Sequence, residues 1–331
     1  MRLARRRFLQ LTVSAAALPA LPPDEARAAP AVPLKAAIEN PSFEWFFLLV
    51  DAGKEQGIWT KHGLDLQFTP AAGSAAQLRE RVDAGIKLGI VNTAEVLLAR
   101  SNGTAVKIVA SYFGETTARI FVAASGPLKT GTDLDGKRVG IVATTHTSYR
   151  TVRFMNRKLG INAEPVPLGR LPDNVAALSA GRIDAFYSAE GAALALVDSG
   201  SLRVLLPLSD LYPKPYAAVS VWITEDLIND DPGLAGNFVT ATLETVGYLK
   251  ANLGYASSLY VKRTKAPQDV ADRAIASLNQ VLTASGRGSG HDLVAAVAGN
   301  WQFTVESGAV PAGTTVRIED AVDTRFLPPE R

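Results

Sequence analysis

The chain has 331 residues, 47% of them hydrophobic, with 34 Lys and Arg against 32 Asp and Glu and no cysteine. The missing cysteine excludes disulfides, thiolate metal sites, a cysteine nucleophile and the lipid-bearing cysteine of an exported lipoprotein. A net charge of +2 without any long run of basic residues gives no footprint for nucleic acid or an anionic membrane.

At the amino end, residues 5 to 9 read Arg-Arg-Arg-Phe-Leu, an uncharged run follows to Pro23, and Ala26-Arg27-Ala28 closes the segment. A basic start, a short apolar stretch and small residues at the −3 and −1 positions are what a signal peptidase needs. Residues 1–28 are therefore expected to be a secretion leader cleaved after Ala28. Pro19, Pro22 and Pro23 break the stretch, which is too short to cross a ~30 Å hydrocarbon layer as a helix. The order Arg5-Arg6 followed by Phe8-Leu9 resembles the twin-arginine leader, whose translocase exports folded proteins. This leader holds five arginines and two acids, which leaves the mature chain with 29 basic and 30 acidic side chains.

Beyond the leader, strands and helices alternate. Leu34 to Ile38 is an apolar strand, and Glu44 to Gln56 carries Phe47, Leu48 and Val50 at helical spacing before Gly57 stops it. The spacing then predicts strand 64–68, helix 74–84, strand 88–91, helix 93–100 and strand 106–112. Strands 119–124 and 137–142 follow, then helix 148–159, strand 164–168, helix 172–180, strand 183–187, helix 190–199 and strand 203–206. Such alternation through short loops implies a mainly parallel sheet covered on both faces. After strand 216–224 the pattern turns helical, near 232–250, 253–262, 267–284 and 291–301. A mature chain of about 300 residues usually divides into two cores.

An internal echo supports that division. Gln77 to Ala99 and Asp173 to Ala195 share the layout helix, Ala-Gly, strand, polar residue, helix, at a constant offset of 96 residues. Ala84-Gly85 matches Ala180-Gly181, and Asn92 at the end of one strand matches Ser188 at the end of the other. In each copy the glycine suits a left-handed helix cap.

Three segments carry a family resemblance. Asp133-Leu134-Asp135-Gly136-Lys137-Arg138-Val139-Gly140-Ile141, Asn174 to Ala185 and Ala52 to Asp65 each resemble stretches of the solute-binding proteins of ABC importers. Together they resemble the subgroup that binds alkanesulfonates, nitrate and thiamine pyrimidine precursors, the NMT1/THI5-like group. The resemblance runs from about Leu34 to Ile228. It implies an α/β fold of two lobes, the type II periplasmic-binding-protein fold. Each lobe is then a doubly wound, mainly parallel sheet, and two crossover strands join them. Residues 33–116 with 225–331 are expected to form the first lobe and 117–224 the second.

Ligands of open parallel sheets sit beyond the carboxyl ends of the strands, where helix N-termini offer free N–H groups. Those ends predict ligand contacts at Asn40, Ser42, Phe43, Glu44, Trp45, Gly73, Ser74, Asn92 and Thr93 from the first lobe. Thr145, His146, Thr147, Ser188 and Glu190 are the candidates from the second. Thr144, Thr145, Thr147 and Ser148 also suit a helix cap, as do Asn92 and Thr93, but four hydroxyls around His146 exceed what one cap needs. Phe43 and Trp45 suit one wall of an apolar pocket. Glu44 and Glu190 either complement helix dipoles or, facing the cleft, select a cationic or amine-bearing ligand; Arg119 is the residue able to reverse that balance.

Catalytic signatures are weak. Gly131 to Lys137 has phosphate-loop spacing, but Arg138 stands where Ser or Thr is required and a strand follows in place of a helix. The three histidines, His62, His146 and His291, have no metal-ligand spacing, and no Gly-x-Ser-x-Gly elbow occurs. Neither metal nor cofactor is expected. The resemblance implies a monomeric periplasmic binding component, without its own membrane insertion, that hands a small nitrogen- or sulfur-containing solute to an inner-membrane permease and its ATPase. The alternatives are a pyrimidine-precursor-synthase-like enzyme that binds pyridoxal phosphate on the same fold, and a periplasmic sensor.

Overall fold

The computed structural model describes residues 32–39, 44–70, 74–282, 290–310 and 313–327. The expected leader, and Asn40, Ser42, Phe43 and Gly73 among the expected contacts, lie outside these residues. The chain begins with β1 (Val32–Ile38), α1 (Glu44–Glu55), α2 (Ile58–Lys61), β2 (Leu64–Pro70), α3 (Ala75–Asp83), β3 (Leu88–Asn92), α4 (Thr93–Ser101) and β4 (Val106–Ser111). It continues through β5 (Arg119–Ala123), β6 (Arg138–Ile141), α5 (Thr147–Leu159), β7 (Glu164–Pro167), α6 (Leu171–Ser179), β8 (Ala185–Ser188), α7 (Ala192–Asp198) and β9 (Leu202–Pro207). The last leg is β10 (Val219–Thr224), α8 (Glu225–Asp230), α9 (Pro232–Ala251), α10 (Leu253–Thr264), α11 (Gln268–Val281), α12 (Gly290–Glu306) and α13 (Ile318–Ala321).

Two five-stranded sheets result, in the orders β2-β1-β3-β10-β4 and β7-β6-β8-β5-β9. They follow one plan. In each, four strands run parallel and the fourth place is taken by a strand of opposite direction, β10 between β3 and β4, β5 between β8 and β9. Both antiparallel strands are the first strand after the chain crosses from one sheet to the other. The expected second lobe ran to residue 224, whereas the chain is already back in the first sheet at Val219. The returning strand pairs there because its six residues, Val219 to Thr224, are all buried and need neighbours on both edges.

The echo is visible as matching geometry. Gly85 (φ +83°) and Gly181 (φ +65°) both end a helix in the left-handed region, where a side chain is strained. Each then delivers the chain into the third strand of its sheet, β3 or β8. Elements of one turn, α2 and α13, are too short to show a period in the sequence.

Each sheet is buried on both faces. The first packs α1, α9, α10 and α11 on one face through Phe47, Leu49, Phe238 and Ile275, and α4 and α12 on the other through Leu97, Leu293 and Val297. The second packs α5 on one face through Val152 and Phe154, and α6 and α7 on the other through Ala177 and Ala193. Helix α12 serves both cores: Val297 lies in the first and Phe303, fully buried, in the second. Phe303 stacks on Tyr212 at 4.5 Å between ring centres and meets Phe154 edge-on at 4.9 Å. The same helix holds the second crossing, since the Ala296 carbonyl accepts the Ala217 N–H at 3.0 Å and Asn300 Nδ2 donates to the Ala217 carbonyl at 2.7 Å.

Truncating Phe303 to alanine should therefore cost about 3–5 kcal/mol, read as a lowered urea midpoint. A variant that unfolds at the wild-type midpoint would show that α12 is not anchored in the second core.

Candidate functional site

Where the carboxyl ends of both sheets meet, residues from every part of the chain enclose one cavity. Glu39 follows β1, Trp45 and Phe46 open α1, and Asn92 ends β3. His146, Thr147 and Tyr187 face them from the second sheet, Tyr212, Tyr216 and Ala218 from the second crossing, and Asn300 and Phe303 from α12. About 40 Å³ is left for the centres of water-sized molecules, the space of a few waters. A larger guest needs the walls to move apart.

Glu39 is the chemical centre of the first wall. Its backbone N–H extends the β1 pairing by donating to the Ile90 carbonyl at 3.1 Å. Its side chain then turns onto β3: Oε2 accepts the Asn92 N–H and Oε1 accepts Asn92 Nδ2, each at 2.6 Å. The carboxyl is 5% exposed, and burial together with the nearby Glu95 carboxylate pushes its pKa up to about 8. Asn92 gives Glu39 its backbone N–H and one side-chain N–H, and keeps Oδ1 and the second Nδ2 hydrogen.

The second wall is built on the start of α5. His146 caps the helix, its Nδ1 accepting the Ser148 N–H at 3.1 Å. A nitrogen that accepts from the backbone carries no hydrogen, so the proton sits on Nε2. Burial, then Arg170 and Arg150, hold the pKa down at about 4, which keeps the ring neutral at pH 7. Aromatic rings supply most of the remaining surface. Tyr212 packs edge-on against Tyr216 at 4.9 Å, and Trp45 is fixed edge-on against Phe113 at 4.9 Å. Burial raises the pKa of Tyr187 and Tyr216, which stay protonated.

Two buried contacts tie the walls together. Glu95 of α4 meets Arg150 of α5 at 2.5 Å, with side chains 2% and 13% exposed. Burial pulls the Arg150 pKa down, but the Glu95 carboxylate outweighs it and the net shift is upward. Arg150 also donates to Thr147 Oγ1 at 3.0 Å. Glu44, 8% exposed, accepts the Gly191 N–H at 2.7 Å, and burial drives its carboxyl up to about 7.

Of the residues expected at the site, Trp45, Asn92, His146 and Thr147 line the cavity. Glu44 sits beside it as a bridge. The other described candidates make contacts outside the lining. Thr93 is fully buried and bonds Ser220 Oγ at 2.7 Å, Ser74 caps α3, and Ser188 Oγ accepts the Glu190 N–H. Glu190 faces Arg170 at 4.0 Å, and Thr145 is exposed outside the lining. Arg119 also lies outside it, donating to the Thr117 carbonyl and Ser277 Oγ. Sequence reasoning missed Glu39, one residue ahead of the predicted loop; an acid placed directly after an apolar strand was the available signal. Tyr212, Tyr216, Asn300 and Phe303 carried none, because they come from a crossing and a helix far along the chain.

The NMT1/THI5-like pattern matches residues 47–252. The chain belongs to the NMT1/THI5-like family. Solved structures agree on the fold of this family member. The alkanesulfonate-binding protein SsuA from Xanthomonas axonopodis pv. citri, bound to MOPS, superposes with a TM-score of 0.69 at 18% identity over 90% of this chain and 100% of its own. The periplasmic aliphatic sulphonate-binding protein SsuA from Escherichia coli does so with a TM-score of 0.69 at 18% identity, over 92% and 94%. A Candida albicans protein with the generic periplasmic-binding-protein fold gives 0.65 at 14%, over 92% and 99%. No curated protein matches the sequence. Among the described residues no helix is long and apolar enough to cross a membrane, and no group of three His, Asp or Glu could hold a metal.

Folding raises the Glu39 and Glu44 carboxyls from the usual 4.5, so the folded protein keeps protons that the unfolded chain releases. Their contribution to stability is full below about pH 4.5 and is lost as pH rises to about 7 for Glu44 and about 8 for Glu39. Each group should subtract up to about 1.4 kcal/mol per pH unit inside its window. Urea unfolding from pH 5 to 8.5 should show this decline, and Glu39→Gln should flatten its upper part. An unchanged slope in the variant would mean that Glu39 does not titrate there.

Proposed function

We propose that the chain is the solute-capturing component of an ABC importer, working in the periplasm as a monomer. It takes a small nitrogen- or sulfur-containing organic solute between its two lobes and presents it to a membrane permease driven by its ATPase. One observation carries this reading: a single cavity lined from both sheets, with the two chain crossings and α12 beside it. A solute that touches both walls binds best when they are together, so binding shifts an open-to-closed equilibrium by that difference in affinity. The fold shared with the two SsuA proteins, whose names describe sulfonate binding, supports the same reading. A synthase-like enzyme would need an amine to hold an aldehyde cofactor, and the described lining contains no lysine. Export fits the reading as well, through Arg5-Arg6 ahead of Phe8-Leu9.

A thermal-shift screen of the mature protein across sulfonates, nitrate, amines, pyrimidines and aromatic acids tests capture. A true ligand at ~100 times its dissociation constant should add ~2.7 kcal/mol of stability. Closure is tested at Gly191, where an added Cβ would stand 2.5 Å from Ala274 Cα on α11. Gly191→Ala should weaken the hit found in the screen at least tenfold, and the variant should stay expanded in small-angle scattering when saturated. Wild-type affinity and wild-type compaction in this variant would remove the closed state from the account.

Replacing Arg5 and Arg6 by lysine keeps the charge and removes only arginine-specific recognition. The precursor should then accumulate in the cytoplasm. Undiminished periplasmic yield would assign the general secretion route instead.

A further inference from the structure

Resting on that reading, we infer that the solute is a small organic cation whose positive nitrogen lies between the Glu39 carboxyl group and the aromatic walls. Tyrosines aside, the described lining holds two ionisable groups, Glu39 and His146. His146 has Nδ1 engaged by the Ser148 N–H and is neutral at pH 7. The one formal charge the lining can carry is therefore negative. Among the described residues Glu39 is hydrogen-bonded by Asn92, a neutral residue that lends hydrogen bonds but no charge, while Arg150 and Arg170 act on it only at longer range.

The neighbouring guanidiniums do not reverse this sign. Arg150 is held 2.5 Å from Glu95 and also bonds Thr147, while Arg170 has Glu190 at 4.0 Å. Around the cavity, Glu95 and Glu190 already match Arg150 and Arg170 in number, so the charge that Glu39 gains on losing its proton is in excess. Asn92 keeps its Oδ1 as an acceptor for a solute N–H, beside the second hydrogen of its Nδ2. Trp45, Tyr187, Tyr212, Tyr216 and Phe303 present ring surface, and the negative face of an aromatic ring attracts a cation, most strongly where water is excluded. A sulfonate or nitrate in the same place would need Glu39 to keep its proton and would lose affinity as pH rises toward 8.

Protonation adds a signature. Glu39 is faced by Asn92 from β3, Glu95 from α4, Arg150 and His146 from α5 and its cap, Arg170 ahead of α6, Tyr187 from β8 and Tyr112 after β4. With these neighbours its carboxyl holds a proton up to about pH 8, and a cation must expel that proton to bind. Affinity should therefore rise by roughly tenfold per pH unit from pH 6 and level off above about 8.

The test is calorimetry on the mature protein with small amines, quaternary ammoniums and protonated nitrogen heterocycles, each matched to the alcohol and the sulfonate of the same carbon skeleton. Benzyltrimethylammonium, benzyl alcohol and phenylmethanesulfonate form one such set, and the quaternary ion keeps its charge at every pH. The expected result is that the best cation exceeds its alcohol at least tenfold, releases a proton at pH 7 and loses that advantage in Glu39→Gln. The wild-type pH profile needs no variant and stands even if Glu39→Gln folds poorly. Preference for the sulfonates, or cation binding that is flat from pH 6 to 8.5, would overturn the inference and leave solute capture intact. Failure of every compound in all three classes would take solute capture down with it.

Discussion

The rest of the structure depends on one insertion made twice. In each sheet a strand arriving from the other half of the molecule enters between two parallel neighbours and pairs antiparallel with both. Each insertion joins the last strand of its sheet to the other three, so neither half completes its hydrogen-bond ladder without chain from across the molecule. The two crossings are consequently fixed at both ends. They bring the carboxyl ends of the parallel strands toward each other, which is where unpaired helix starts and strand ends can be used for chemistry.

What gathers there is an apolar enclosure with a buried acid in it. Taking a carboxyl group out of water is unfavourable unless it is neutralised or paired. Among the described residues neither Glu39 nor Glu44 has a cation within ion-pair distance, so burial keeps protons on both well above the ordinary range. Glu95, in contrast, sits within 2.5 Å of a guanidinium. Acids beside one cavity therefore have different electrical roles, decided by which groups reach them.

Much of the fold was legible because local rules carried it. Apolar strands of four to seven residues and helices ended by glycine can be read without tertiary information, and the offset of 96 between Gly85 and Gly181 exposed the repeated unit directly. The strand order was not readable at this level; residue 224 was expected to close the second lobe, and pairing moved that boundary ahead of Val219. The cavity was legible in part for the same reason. Trp45, Asn92, His146 and Thr147 follow from strand ends and helix starts, which local pattern fixes. Thr93 and Ser188 obey that pattern too, yet their hydroxyls turn to Ser220 and the Glu190 N–H. Direction at a strand end is set by the neighbouring strand. Phe303 lies more than two hundred residues from Asn92, and only the return of α12 to the second core brings them to one surface.

That return also limits how the molecule can move. A helix with Val297 buried in one core and Phe303 in the other cannot lengthen, and it is bonded to Ala217 on the crossing itself. A rotation that keeps both cores packed has its axis close to α12, like that of a book along its spine. Tyr212, Tyr216 and Phe303 lie at that spine and belong to a single rigid cluster. A rotation about that axis leaves their shared surface unchanged. On the proposed capture of a solute, its aromatic half-site would stand assembled before closure brings up the opposite page.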